Sequence, residues 1–118
     1  MNQNFFNDSN LTEFIGVAPL DTIGLVIASV DPMLRTEMKI DSQYTALGLI
    51  SSRTGAAGQI LAVDEAVKET NTTVLSIDLP RDTKGWGGHG NFIILGSKNV
   101  SDTKRAVESA LEHIKRYA

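Results

Sequence analysis

An α+β fold is predicted by three observations. Short apolar runs with strand composition, Thr22–Val30, Tyr44–Ser51, Thr72–Leu79 and Phe92–Leu95, recur along the chain. Two longer stretches, opening near Gly55 and near Asn99, carry apolar residues at helical spacing. The elements follow one another as strand, strand, short helix, strand, helix, strand, strand, helix. A four-stranded antiparallel sheet with helices packed on one face fits, because two helices of this length need one sheet to bury their apolar stripes.

Residues 1–10 form a polar tail interrupted by Phe5 and Phe6, and Leu11–Val17 has weak strand character ending at Pro19. Thr22–Val30 is the stronger strand, apolar at Ile23, Leu25, Val26, Ile27 and Val30. Asp31-Pro32 ends it: Asp31 suits an N-cap and Pro32 the first helical position, so a short helix is expected to about Lys39. The next strand has its apolar residues at Ala46, Leu47, Leu49 and Ile50. The helix opened by Thr54 or Gly55 has its apolar positions Ile60, Leu61, Val63, Ala66 and Val67 at helical spacing. Thr72–Leu79 is β-rich and runs to Pro80. Asn99 to Ser101 caps the final helix, which reaches about Tyr117 with Ala106, Val107, Ala110, Leu111 and Ile114 inward. The expected division is an N-terminal extension, residues 1–12, and a single domain, residues 13–118.

A chain of 118 residues fits one domain, with 42% hydrophobic and 21% charged residues as in ordinary globular domains. The net charge of −3 argues against nucleic acid as main partner. Cysteine is absent, which excludes disulfides, thiolate metal sites and a cysteine nucleophile. No apolar stretch approaches the roughly 20 residues of a bilayer span, and the asparagine-rich start is unlike a secretory signal. A cytosolic protein with no membrane partner is expected.

Few residues suggest chemistry. Residues 80–91 are dense in glycine, but they lead into a strand and not into a helix N-terminus, so a phosphate cradle lacks its physical basis. A hairpin loop, or a loop meeting symmetry copies of itself, remains. His113, near Glu112 and Lys115, is expected on a solvated helix face, and His89 sits among glycines. Asp64 and Glu65 are adjacent on a helix and do not share a face. Asp78, Arg81 and Asp82 form at most a local ion-pair cluster. Nothing assembles a nucleophile, a base and an oxyanion donor, so no catalytic residue, metal or cofactor is expected.

From Thr45 onward the chain resembles the BMC-domain family of bacterial microcompartment shell proteins. Ala46-Leu47-Gly48-Leu49-Ile50, followed by Arg53 and Gly55, resembles the family's opening strand. Ala62-Val63-Asp64-Glu65-Ala66-Val67-Lys68-Glu69-Thr70-Asn71 resembles its first helix, and Gly96–Ala110 its third segment. The pieces that close the standard domain, here Thr22–Val30 and Pro32–Lys39, come first. That order is similar to the circularly permuted members, above all the N-terminal half of the large trimeric shell subunit of propanediol-utilisation compartments. Leu79-Pro80-Arg81-Asp82-Thr83-Lys84-Gly85 and Gly88-His89-Gly90 carry that likeness, as do Val100-Ser101-Asp102 and Lys104-Arg105.

The resemblance implies a permuted BMC domain in a shell tile, without enzymatic activity. With one domain per chain it implies a homohexamer, as in the single-domain permuted proteins of ethanolamine- and choline-utilisation compartments, placed beside other shell proteins in a cytoplasmic compartment. It places an edge contact at Lys68 and Asn71, although Ala28-Ser29-Val30-Asp31 lacks the arginine that often joins it. It places the pore loop at Lys84, Gly85, Trp86, Gly87, Gly88, His89, Gly90 and Asn91, passing small metabolites. Trp86 departs from the small residues expected there. For residues 1–12 it implies a barrel over the pore or attachment of encapsulated enzymes, against a frayed end. A small oligomeric metabolite sensor is the competing reading, separated from the first by whether the protein forms sheets or tubes.

Overall fold

The structure, a computed structural model, describes residues 12–79 and 90–117. Its elements are β1 (Thr12–Ala18), β2 (Thr22–Ile27), α1 (Pro32–Glu37), β3 (Ala46–Ser52), α2 (Ala57–Glu69), β4 (Thr73–Asp78), β5 (Asn91–Ser97) and α3 (Val100–Tyr117). They form one antiparallel sheet in the order β1-β2-β3-β5-β4.

The sheet therefore has five strands, not four. The added one is β1, the weakly patterned Leu11–Val17 run, which pairs with β2 through a bulge between Phe14 and Gly16. An edge strand is paired on one side only and half exposed, so its alternation is weak in sequence. Ile15 nevertheless packs on the core, and a Cβ added at Gly16 would meet Leu111 Cδ1 of α3 at 3.4 Å.

Register decides which residues meet. Period-two alternation turns Gly24 and Val26 of β2, Gly48 and Ile50 of β3, and Ile93 and Leu95 of β5 toward α2 and α3. There they join Ala62, Val63 and Ala66 of α2 and Ala106, Val107, Ala110, Leu111 and Ile114 of α3 in the main core. The opposite face carries Leu47 and Ile94, covered by Val30, Met38, Ile40 and Tyr44 from the segment around α1. Thus α2 and α3 share one face as expected, while the short helix goes with the other. α1 buries no residue and is held by its ends. Asp31 caps it, accepting from the backbone N–H of Met33 at 2.7 Å and of Leu34 at 3.3 Å.

α2 starts at Ala57, later than Thr54 or Gly55. Gly55 has φ +77°, outside the helical region, and the carbonyl of Thr54 accepts a hydrogen bond from the Gln59 side chain. α3 starts where expected, with Asn99 Oδ1 accepting from the backbone N–H of Asp102 at 2.9 Å.

Candidate functional site

Three groups of residues are candidates for a functional role: the base of the glycine-dense loop, the C-terminal corner of α2, and a polar ladder between α2 and α3. Lys84, Gly85, Trp86, Gly87, Gly88 and His89 lie outside the described residues, as do Arg81 and Asp82. Gly90 and Asn91 are inside. β3 and β5 pair antiparallel with Ser52 opposite Asn91, so the chain re-enters the sheet beside the end of β3. Gly90 makes the entry, with φ +79°, and a Cβ there would lie 2.5 Å from the carbonyl oxygen of Ser52. Asn91 is only 2% exposed, and its Nδ2 donates to the carbonyl of Gly55 at 3.3 Å. It anchors the loop from within the fold.

At the C-terminal corner of α2, Lys68 Nζ lies 2.8 Å from Asp64 Oδ2, one helical turn back. The Asp64 carboxylate, as acceptor and as charge, holds the Lys68 ammonium above its ordinary range. Both side chains are exposed, so the pair adds little stability and leaves the ammonium accessible. Asn71 follows in the turn before β4. It lines a surface hollow of about 460 Å³ with Thr70, Thr72, Lys98, Asn99 and Asp102. Lys68 and Asn71 thus share one corner of the molecule, where the end of α2 meets the start of β4.

His113 is not on a solvated face. It is 8% exposed, packed against α2 between Glu65 and Glu69. Nε2 is in hydrogen-bond contact with Glu69 Oε2 at 3.2 Å. Nδ1 lies 3.1 Å from Glu65 Oε1, but not in hydrogen-bond geometry, so that contact is a close approach only. Ser109 Oγ donates to Glu69 Oε1 and Tyr117 Oη to Glu65 Oε2, each at 2.6 Å. The ladder follows from matched spacings: Glu65 and Glu69 are four apart on α2, and Ser109, His113 and Tyr117 are four apart on α3. The spacings are readable in sequence; that the two rows face each other is not. Among the described residues, no three His, Cys, Asp or Glu side chains are placed to hold a metal ion.

The Ser109 hydroxyl, then the His113 contact, hold the Glu69 carboxyl below its ordinary range, while the Glu65 carboxylate raises the Tyr117 phenol. A carboxyl lowered by folding stabilises fully above its ordinary pKa and loses that contribution as pH falls through its lowered folded value. Glu69→Gln is therefore expected to melt slightly below the unsubstituted protein at about pH 7, the gap closing in acid below the ordinary glutamate range. Thermal melts across that range check it; a gap that widens in acid contradicts it. The effect is small because Glu69 is half exposed.

The BMC domain model matches residues 46–118, more than half of the chain. This chain belongs to the BMC-domain family. The match begins at β3, so β1, β2 and α1 precede the standard domain, as in a permuted member. Across 107 residues the chain is 56% identical to the bacterial microcompartment shell protein PduB of Citrobacter freundii, covering 91% of this chain and 40% of that protein. EtuB from Clostridium kluyveri superposes with a TM-score of 0.82 at 53% identity, over 91% of this chain and 47% of that one. A crystal structure of a trimeric PduB gives 0.78 at 45% identity, over 86% and 45%. This BMC domain spans less than half the length of the relatives it matches. No helix among the described residues is long and apolar enough to cross a membrane.

Proposed function

We propose that this BMC domain is a structural unit of a bacterial microcompartment shell, without catalytic activity. The observation that carries this reading is the 56% identity to a PduB shell protein over 91% of the chain, β1, β2 and α1 included. A trimer of chains about twice this length holds six stretches of this size, and six copies of this domain make an equivalent ring, a homohexamer. A head-to-tail interface whose rotation closes gives such a ring. The ring tiles with its own copies and with other shell proteins in the cytoplasm. Lys68, an accessible ammonium on a flexible stem, and Asn71 provide its edge contacts, donating to backbone carbonyls of a neighbour. Lys84 to Asn91 meet near the axis and pass small polar metabolites, the indole of Trp86 narrowing the opening. The residues before β1 form an extension that contacts encapsulated enzymes or covers the pore, through Phe5 and Phe6.

The test is the mass of the purified chain by light scattering, followed by electron microscopy of the same sample. Six chains of 12.8 kDa each, 76.8 kDa together, with hexagonal plates, sheets or tubes on the grid, are expected. A stable monomer or dimer that binds a small metabolite and never forms sheets would overturn the reading.

A further inference from the structure

One row of the sheet is polar on its buried face. Thr22 of β2 is paired with Ser52 of β3, and Ser52 with Asn91 of β5. All three side chains point toward α2, where Gln59 covers them, its Nε2 lying 3.4 Å from Thr22 Oγ1. The four residues are between 0 and 8% exposed. Gln59 Nε2 donates to the carbonyl of Thr54 at 3.1 Å, and Asn91 Nδ2 to that of the next residue, Gly55, at 3.3 Å. These bonds set both amides: turned over, each would aim an oxygen at a carbonyl oxygen. Gln59 Oε1, Asn91 Oδ1 and Ser52 Oγ are then left buried, with no hydrogen-bond partner among the described residues.

A polar oxygen withdrawn from water and left unpaired is costly, and three such atoms in one corner do not persist unsatisfied. The two amide oxygens need two donors. The serine hydroxyl, its proton free to rotate, needs an acceptor. One water molecule offers two donors and an acceptor.

We propose that an internal water-binding site, formed by Ser52, Gln59 and Asn91, joins β3, β5 and α2 where the glycine-dense loop returns to the sheet. The water donates to Gln59 Oε1 and Asn91 Oδ1 and accepts from the Ser52 hydroxyl. Cross-strand partners stand roughly 5 Å apart at Cβ, which suits one molecule bridging Ser52 and Asn91 beneath Gln59. The loop base is thereby held by directional bonds around a water and not by apolar packing, while the strand interior beyond it is dry.

A crystal structure of the whole chain, at a resolution that shows ordered solvent, tests the site. One solvent peak within hydrogen-bond distance of all three atoms is expected. Amide donors from residues 80–89 on the two side-chain oxygens would overturn the proposal, as would a peak at the shorter distances of a bound cation, or no peak. Ser52→Ala and Gln59→Met give an independent readout in solution. No hydrogen bond joins these two residues, so a shared water is the polar link between them, and the double variant should lose less melting temperature than the sum of the single losses. Additive losses would count against the water. Should a variant fail to fold, the crystal structure of the unsubstituted chain still decides.

Discussion

Gly90→Ala is expected to lower the melting temperature by about 10–20 °C, the largest effect of any single methyl group added among the described residues. Two costs combine at this position. The residue sits at φ +79°, where an L side chain is strained by about 1–2 kcal/mol. Its new Cβ would also lie 2.5 Å from the carbonyl oxygen of Ser52 and 3.0 Å from that of Arg53. Both obstacles are backbone, so no rotamer change relieves them. Forcing such a contact costs about another 1–3 kcal/mol. The return of the chain into β5 must shift, and with it Asn91, whose amide holds the turn at Gly55. Thermal unfolding of the variant checks the magnitude. A melting temperature within about 3 °C of the unsubstituted protein, less than 1 kcal/mol for a domain of this size, would show that the entry is more adaptable than its geometry implies.

Gly48→Ala is expected to cost about 1–3 kcal/mol, and Val107→Ala in the same chain to relieve part of that loss. The reason lies in how close α3 stands to the sheet. A Cβ on Gly48 would lie 2.6 Å from Cγ2 of Val107, and one on Gly24 in the neighbouring strand 2.6 Å from its Cγ1. One valine thus sits across a notch made by two glycines, with Thr103 and Leu111 closing its ends. Val107 is fully buried and β-branched, so it cannot rotate a methyl away without meeting its own helix. Adding the methyl at Gly48 pushes α3 outward and loosens its contacts with β2 and β3. Val107→Ala alone leaves a cavity, costing about 1–3 kcal/mol, but in the Gly48→Ala background the cavity receives the new methyl. Denaturant midpoints of the two single variants and the double variant close the cycle. A double variant whose loss equals the sum of the single losses would mean that the helix yields freely and the notch constrains nothing.

Much of the fold can be read locally. The apolar positions of α2 and α3 repeat at helical spacing, and Val26, Leu47, Ile50, Ile93 and Leu95 fall in runs too apolar to be surface strands. Asp31-Pro32 announces α1, and the Asn99 cap announces α3. These signals depend on residues within one turn or one strand of each other. The weaker pattern of β1 is a consequence of its edge position, where one side lacks a partner and half of its side chains meet solvent.

The candidate site divides along the same line. Lys68 and Asn71 stand out because a family motif names them, and the fold adds only that they share a corner beside a polar hollow. His113 is misjudged from its neighbours Glu112 and Lys115, which do face solvent; the residues that enclose it, Glu65 and Glu69, are more than forty positions away. No local pattern announces Gln59 or Ser52 as buried polar residues, since each looks like an ordinary polar position at a helix start or strand end.

By itself, then, the amino-acid sequence determined the α+β class, the order of the elements, the permuted family likeness and the inner face of the final helix, because periodicity and capping act over a few residues. Only the tertiary structure decided that β1 completes a fifth strand, that His113 is enclosed by α2, that Val107 fills a notch between Gly24 and Gly48, and that a polar row lies beneath Gln59. Each of those depends on which faces meet when distant segments pack, and that is settled by the shape and burial of the whole sheet rather than by any one stretch of chain.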